Sequence, residues 1–379
     1  MGHPASHGRR PQGPEVADVL RDHAYGLTLG SEQQRVVRAI VGCRSAALGG
    51  HIEMCKSCGF ERNAYNSCRN RHCPKCQILK QELWAEMQER RLLPIPYFHV
   101  IFTIAAELQP LFRCSPKVVL TLLFGAVAET LSQVAARRLK AEIGFTAILH
   151  TWSQRLRFHP HIHCVVPGGG LKLGGSGFTT CKADFFLYVP KLRKVFKGKL
   201  LEKLKRALRS GEIEYPLVEG LALIERAARK DWGVKVKPPL AGPEQVVRYL
   251  SRYVHRVAIA NSRIVAYDGR RVRFRYKDRQ DGNKVKVKEV DGPAFARLFL
   301  QHVLPGRFVR IRHYGLLATR AGEKLARCRR LLGVAVPTPA VKEGWVDTYQ
   351  RIYHRDPLLC PKCKQGQMVA RVVLRPLRL

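Results

Sequence analysis

The segment Phe158–Val166 reads FHPHIHCVV, and it combines a strand-like composition with two histidines that are two residues apart. Side chains alternate between the two faces of a strand, so His161 and His163 project together while Ile162 enters the opposite layer. Two neighbouring imidazoles can share one divalent cation. The segment therefore predicts a strand that carries a metal site on one face.

A second strand is predicted just before it. Residues 145–152, FTAILHTW, are rich in aromatic and apolar side chains, and the polar residues 153–157 form a turn, which together indicate a hairpin. In an antiparallel register that places His150 opposite His161 or His163, the three imidazoles share a face, because positions on one face differ by even numbers. The third ligand is expected among three residues, with His150 preferred over Gln154 and His159.

Two tyrosines four residues apart follow about ninety residues later, in a segment predicted to be a helix from about Gly242. Tyr249 and Tyr253 lie beside its apolar stripe, and residues four apart face the same side of a helix. A phenol with a pKa of about 10 is a weak nucleophile at neutral pH, so it needs a phosphate activated by a metal. Taken alone, two tyrosines packed at the margin of a core are the simpler interpretation. Together with the histidines they predict a metal-assisted tyrosine nuclease.

The net charge indicates a polyanionic partner. The chain has 67 Lys and Arg against 29 Asp and Glu, a formal charge of +38 over 379 residues. No apolar stretch of the sequence is judged long enough to cross a bilayer, and no secretory signal is evident, so nucleic acid is the expected partner and the cytoplasm, at the nucleoid, the expected location. A hydrophobic content of 46% is sufficient for a sizeable core.

The cysteines are grouped as in metal sites, as expected in a reducing compartment. Each Cys-x-x-Cys pair directs two thiolates at one ion, and the spacing of two such pairs predicts one structural zinc site formed by Cys55, Cys58, Cys73 and Cys76. Cys68 and His72 are competing ligands or the start of a second site. Arg69 and Arg71, beside these cysteines, are expected to contact DNA phosphates.

A further pair, Cys360 and Cys363, lies near the C-terminus and has the pattern of half a zinc ribbon. The sequence leaves three possibilities open. The pair joins Cys328, joins another subunit, or binds no metal.

Five segments resemble one known family. They are CRNRHCPKCQ (68–77), LHTW (149–152), FHPHIHCVVPGGG (158–170), YLSRYVHRVAIANSRI (249–264) and FLQHVLPGRFVRIRHYG (299–315). In order and spacing they are similar to the two-tyrosine rolling-circle transposases of the insertion-sequence-91 family, in the HUH endonuclease superfamily, over residues 31–320. The histidine-hydrophobic-histidine motif of that family falls on His161 and His163, and its paired tyrosines on Tyr249 and Tyr253.

The resemblance implies an α+β fold, an HUH-type nuclease with a central antiparallel sheet and flanking helices, preceded by a small zinc-binding module. The expected organisation is a basic tail over residues 1–30, a zinc-binding and DNA-binding module over 31–92, the nuclease domain over 93–320, and a basic extension with the last Cys-x-x-Cys over 321–379.

It also implies an activity. A tyrosine would nick single-stranded DNA at a transposon end with Mg²⁺ or Mn²⁺, leaving a 5′-phosphotyrosine bond, and the host replication machinery would extend the free 3′ end. Arginines expected to contact the DNA are Arg252, Arg256, Arg310 and Arg312. Two alternatives remain: a plasmid replication initiator or relaxase that uses the same chemistry, and a noncatalytic zinc-dependent DNA-binding regulator.

Overall fold

The computed structural model describes residues 13–76, 78–174, 177–182, 187–237 and 258–337, residues 343–377, and the single positions Gln245, Val247 and Val254. Its helices are α1 (Val16–His23), α2 (Ser31–Val41), α3 (Ile78–Glu89), α4 (Gln109–Cys114), α5 (Pro116–Leu139), α6 (Val189–Arg209), α7 (Leu217–Ala228), α8 (Gly292–Leu300), α9 (Gly322–Leu331) and α10 (Trp345–Tyr353). Three short 3-10 turns cover Ala46–Leu48, Ala106–Leu108 and Asn261–Arg263.

The strands are β1 (Gly50–Cys55), β2 (Glu61–Tyr65), β3 (Tyr97–Thr103), β4 (Ala141–Glu142), β5 (Gly144–Trp152), β6 (Phe158–Pro167), β7 (Gly169–Lys172), β8 (Phe178–Thr180), β9 (Gly233–Lys237), β10 (Ile264–Tyr267), β11 (Arg271–Asp278), β12 (Lys284–Asp291), β13 (Ile311–Gly315) and β14 (Met368–Leu374). Among the described residues they form four sheets, of which the largest has five strands in the order β13-β5-β6-β3-β9. Each pairing within it is antiparallel. The predicted α+β fold with a central antiparallel sheet is confirmed.

One face of this central sheet is apolar and covered by helices. Phe102 of β3, Ile162 of β6 and Leu149 of β5 share a buried core with α5 and α6. The ring of Phe102 meets that of Phe196 on α6 at 5.0 Å between centroids. Burying these side chains forces the alternate positions of the same strands, the histidines among them, onto the opposite face.

Helix α5 corrects one expectation, and its end differs from the sequence-based prediction of a helix from Ser115 to a stop at Gly144. Its 24 residues, with a mean hydropathy of 1.7 over an 18-residue window, are long and apolar enough to cross a bilayer, although the sequence was judged to have no such stretch. Its buried face, which includes Leu123 and Val127, packs in the core beneath the sheet instead. The helix ends at Leu139, with Lys140 left-handed at φ 51°, and not at Gly144, which begins β5.

A second core joins distant parts of the chain. It contains Val19 and Leu20 of α1, Val36 of α2, Phe274 of β11 and Phe295 of α8. Residues 16–23, expected in a basic tail, thus form a helix whose apolar side is buried in this core. The segment expected as a separate zinc-binding module shares its core with residues 258–300, because its own apolar side chains are too few to enclose one.

The C-terminal strand lies against the N-terminal region. In the three-stranded sheet β14-β1-β2, β14 pairs antiparallel with β1, so that Cys55 is opposite Met368. Gly49 and Gly50 permit this packing, since a Cβ on Gly49 would lie 2.5 Å from the carbonyl oxygen of Leu374. The extension expected at residues 321–379 therefore folds onto the beginning of the chain.

Candidate active site

Three histidines converge on the face of the central sheet opposite α5 and α6. The β5–β6 ladder pairs His150 with His161. One ring nitrogen from each of His150, His161 and His163 lies within 4.8 Å of the others, and the three side chains are 3%, 9% and 7% exposed. The hairpin and shared face expected from the sequence are present.

Hydrogen bonds orient two of these rings. His161 Nδ1 lies 2.6 Å from the carbonyl oxygen of His159, which can only accept, so Nδ1 carries the proton and Nε2 keeps its lone pair. His163 Nδ1 lies 2.7 Å from Nε2 of His99 on β3. Metal-binding histidines are typically oriented in this way through the nitrogen that does not bind the metal.

Burial also keeps the imidazoles of His161, His163 and His99 neutral. It lowers the pKa of His161 to about 3 and that of His99 to about 4. Burial, followed by the neighbouring His150 and His161, holds the pKa of His163 well below its usual range. A neutral imidazole offers a lone pair where an imidazolium offers none, so His161 and His163 have the protonation state that metal binding needs.

His99 was not anticipated as part of this arrangement. It lies in the strand sequence YFHVIFTI (97–104), and β3 pairs with β6 so that His99 is opposite Val165 and Ile101 is opposite His163. The alternation within the strand could have placed His99 and Ile101 on one face, but the pairing of β3 with β6 was not evident from the sequence.

A wide basic cavity of about 940 Å³ opens in front of the histidines. Its described lining includes eight cationic side chains: Arg113, Arg155, Arg157, Lys235, Lys237, Arg263, Lys277 and Arg279. Asp278 is the one carboxylate among the described lining residues, and it forms ion pairs with Arg155 at 2.9 Å and Lys286 at 3.1 Å. The cavity therefore has a strong positive potential that suits a polyanion.

The turn between β5 and β6 forms part of the cavity rim, and two residues of the FLQHVLPGRF segment hold it. Gln301 donates from Nε2 to the carbonyl oxygen of Leu156 at 2.8 Å, and His302 Nε2 lies 3.1 Å from the same oxygen. Leu156 is buried and left-handed, with φ 60°. These contacts fix the position of the turn, a role that the sequence analysis did not assign.

The tyrosines Tyr249 and Tyr253, and the arginines Arg252 and Arg256, lie outside the described residues. Their sequence neighbours Val247 and Val254 are described, and both are buried in a cluster with Ile148 and Val165. Val165 is directly opposite Thr146, and Ile148 opposite His163, so these contacts are on the histidine-bearing face of the sheet.

The four cysteines predicted to form one zinc site are divided between two clusters. Cys73 and Cys76 converge with Cys68 and with Cys43, which the sequence analysis missed because it stands outside a Cys-x-x-Cys pair. Cys55 and Cys58 converge instead with Cys360 and Cys363. His72 belongs to neither cluster, and its Nε2 accepts a hydrogen bond from the backbone N–H of Leu304 at 3.4 Å.

The arginines expected to contact DNA differ in accessibility. Arg69 is exposed, but Arg310 is 7% exposed, which is inconsistent with a direct phosphate contact in this conformation. Arg71 donates to the carbonyl oxygens of Phe308 and Pro305. Arg312 stacks its guanidinium over the ring of Phe124 at 4.3 Å. Three of these four cations thus take part in packing.

Comparisons with known proteins agree with a zinc-binding role for the cysteines of the N-terminal region. A family model described as "Transposase zinc-binding domain" matches residues 16–104, and one described as "Putative transposase" matches residues 144–324. The chain is 46% identical over 377 residues to "Putative transposase y4qJ" of Sinorhizobium fredii, covering 94% of each chain.

The chain is also 28% identical over 334 residues to the "Transposase for insertion sequence element IS801" of Pseudomonas savastanoi pv. phaseolicola. The match covers 86% of this chain and 78% of that protein. Among solved structures, the conjugative relaxase TrwC in complex with oriT DNA matches 42% of this chain and 71% of its own, at 14% identity and a TM-score of 0.25, and we draw nothing from that similarity. The molecule is a transposase with a zinc-binding domain. It belongs to the insertion-sequence-91 family of transposases.

Proposed function

We propose that this transposase nicks single-stranded DNA at transposon ends with a tyrosine nucleophile, as the first step of rolling-circle transposition. The observation that carries the proposal is the cluster of three buried histidines at the base of a basic cavity. Val247 and Val254, which flank Tyr249 and Tyr253 in the sequence, pack on the same face of the sheet as that cluster. This placement supports the tyrosines as the nucleophiles.

His150, His161 and His163 would hold a divalent ion, for which Mg²⁺ or Mn²⁺ is our proposal. The residues fit such an ion, because three ring nitrogens within 4.8 Å of one another match the span of ligands around one metal. When bound, the ion would polarise a phosphoryl oxygen and so favour attack by a phenol. His99 and the carbonyl oxygen of His159 would keep His163 and His161 in the orientation that directs Nε2 at the ion.

The proposed reaction exchanges one phosphodiester bond for another. The phenolic oxygen of Tyr249 or Tyr253 bonds to the scissile phosphorus while the bond from phosphorus to the 3′ oxygen breaks. The phenol proton leaves to solvent, and the departing 3′ oxygen takes up a proton to become a hydroxyl. The second tyrosine can accept the strand in a later transfer, and the host replication machinery can extend the 3′ end.

The cysteine cluster of the N-terminal region would hold Zn²⁺ in a structural role. Cys43, Cys68, Cys73 and Cys76 fall within the residues that match the zinc-binding domain. The Sγ atoms of Cys43 and Cys76 are 3.4 Å apart, and those of Cys68 and Cys76 3.7 Å apart. A zinc ion bound by four thiolates has no open position for a substrate, so its contribution is to folding.

The test is formation of a covalent adduct. Purified protein is incubated with 5′- or 3′-labelled single strands of the transposon terminus and Mn²⁺ or Mg²⁺, then denatured and separated on a gel. We expect label downstream of the nick to migrate with the protein, whereas label upstream is released with a free 3′-hydroxyl. DNA binding without an adduct on any terminal strand would instead favour a noncatalytic regulator.

Two lysines of β9 are expected to bind the DNA backbone. Lys235 and Lys237 are exposed and face the histidine side of the sheet, where Lys237 lies opposite His99. We expect the Lys235→Gln, Lys237→Gln double variant to bind single-stranded DNA roughly tenfold more weakly. The slope of the logarithm of the binding constant against the logarithm of salt concentration should become shallower by about 1.4, since each lost phosphate contact accounts for about 0.7. Fluorescence anisotropy at several salt concentrations measures both.

The matched control for β9 is Lys191→Gln, Lys194→Gln on α6, which removes the same charge from exposed positions of a helix packed against the other face of the sheet. We expect this variant to keep its affinity within about twofold. An equal loss in both variants would indicate a general effect of net charge, and a larger loss in the control would place the DNA on α6.

Removing a ligand of the N-terminal cluster is expected to destabilise the protein. Cys73 is fully buried in the core shared with Phe295 of α8, and Cys73→Ser would lose a metal bond and leave a hydroxyl there. We expect a loss of more than about 4 kcal/mol of unfolding free energy, measured by urea unfolding followed by tryptophan fluorescence. The control Cys114→Ser, at an exposed position, should change stability by less than about 0.5 kcal/mol.

A further inference from the structure

Two equivalent turns from opposite ends of the chain face one another. One turn contains Cys55 and Cys58, and the other contains Cys360 and Cys363. In each, the residue after the second cysteine is left-handed, Gly59 at φ 67° and Lys364 at φ 56°. The N–H of that residue donates to the carbonyl oxygen of the first cysteine, at 3.1 Å in the first turn and 3.0 Å in the second.

The four sulfur atoms are spaced for a metal and not for disulfides. Cys55 Sγ lies 3.7 Å from Cys363 Sγ, and Cys58 Sγ lies 3.8 Å from Cys360 Sγ. A disulfide needs about 2.05 Å. Four thiolates at about 2.3 Å from a central Zn²⁺ in a tetrahedron are about 3.8 Å apart. The distances between the sulfur atoms of the two turns therefore match those around one zinc ion bound by four thiolates.

Backbone donors also point at the sulfurs. The N–H of Ser57 donates to Cys55 Sγ at 3.4 Å, and the N–H of Gly366 donates to Cys363 Sγ at 3.3 Å. Such bonds stabilise the negative charge of a thiolate. Gly366 is also needed for the close approach of the turns, since a Cβ there would lie 2.6 Å from Cys55 Sγ.

Apolar packing at this place is too small to hold the two turns together. The local core contains only three buried residues among those described, Cys55, Cys360 and Met368, with Phe60 and Cys363 packed against them. Met368 and Cys55 pair across β14 and β1, and residues 370–373 of β14 are exposed. Small units with so little buried surface usually depend on a metal or on disulfides.

We propose that Cys55, Cys58, Cys360 and Cys363 bind a second structural Zn²⁺, which joins the two ends of the chain into one zinc ribbon. Each end supplies one pair of thiolates, so neither can form the site alone. The residues that match the zinc-binding domain, 16–104, include only one of these pairs. The C-terminal strand β14 is then a component of the N-terminal zinc-binding region. This proposal does not depend on the chemistry proposed for the histidines.

Metal analysis of the full chain tests the proposal. We expect Cys360→Ser, Cys363→Ser to contain one Zn²⁺ per chain less than the wild type by inductively coupled plasma mass spectrometry, with both proteins purified in parallel. The control Cys114→Ser, Cys181→Ser removes two cysteines that lie outside both clusters and should keep the wild-type zinc content. Equal zinc in the wild type and in the Cys360, Cys363 variant, or iron in place of zinc, would overturn the assignment.

If the Cys360, Cys363 variant fails to fold, thiol alkylation of the wild type tests whether a metal protects these cysteines. Cys58 and Cys114 are both exposed. In zinc-replete protein we expect N-ethylmaleimide to modify Cys114 readily and to leave Cys58 and Cys363 largely unmodified, as mapped by peptide mass spectrometry. Addition of a chelator should make these two cysteines reactive. Modification of Cys58 as fast as Cys114 before the chelator is added would disprove a metal at this site.

Discussion

His161→Ala is expected to reduce formation of the covalent DNA adduct by at least about 10³-fold, which corresponds to about 4 kcal/mol of transition-state stabilisation. The ring of His161 lies beside those of His150 and His163, with centroid distances of 5.4 Å and 4.8 Å. Its removal leaves two imidazoles, which is too few to hold an ion firmly against a charged phosphate. The measurement is the initial rate of adduct formation at saturating DNA, with Mn²⁺ affinity determined separately by calorimetry.

His159→Ala is the matched control for this prediction. His159 is in the same strand and was an alternative ligand, but it lies outside the cluster of three. His161 Nδ1–H donates to the backbone carbonyl oxygen of His159, which the substitution retains. We expect a rate within about tenfold of the wild type. A greater loss for His159→Ala than for His161→Ala would reassign the ligands, and undiminished activity of His161→Ala would refute the proposed metal site.

The Tyr249→Phe, Tyr253→Phe double variant is expected to form no adduct at all, because phenylalanine has no oxygen with which to attack phosphorus. Each substitution removes one oxygen atom and changes the volume little, so we expect DNA affinity and Mn²⁺ affinity to remain near those of the wild type. Gel analysis of the adduct together with anisotropy and calorimetry on the same preparations separates loss of chemistry from loss of binding.

Tyr276→Phe controls for the loss of a phenol near the cavity. The hydroxyl of Tyr276 accepts a hydrogen bond from Arg155 at 3.3 Å, and Arg155 is part of the cavity lining. We expect adduct formation in this variant to stay within a few fold of the wild type. The two single variants, Tyr249→Phe and Tyr253→Phe, then show which phenol performs the first cleavage. An adduct that persists in the double variant would identify another nucleophile and contradict the proposed mechanism.

The alternation of side chains along a strand made the histidine cluster predictable. His161 and His163 share a face whatever the rest of the chain does, and the polar turn after Trp152 was sufficient to indicate the hairpin. The ladder pairs His150 with His161, which is one of the two registers that these local features left open. His99 was missed because β3 reaches β6 across 64 residues of sequence between His99 and His163, and local patterns do not specify such a pairing.

The grouping of the cysteines could not be predicted from local sequence patterns. A Cys-x-x-Cys pair determines its own turn, and the sequence therefore identified the pairs. It did not determine which pairs meet. Cys55 had two candidate partners, the nearby pair that begins at Cys73 and the pair that ends at Cys363, 308 residues away. Pairing of β1 with β14 brings Cys55 to Cys363. Packing of α2 in the second core brings Cys43 to the cluster that contains Cys73.

By itself, the sequence determined the cationic character of the protein, the strand with its two histidines, the local cysteine turns and the family to which the chain belongs. The tertiary structure alone decided which cysteines share a cluster, that Arg310 is buried, and that the apolar helix α5 lies beneath the sheet. The physical reason is that charge and strand alternation are local properties of the chain, whereas burial and ligand sets depend on contacts between segments hundreds of residues apart.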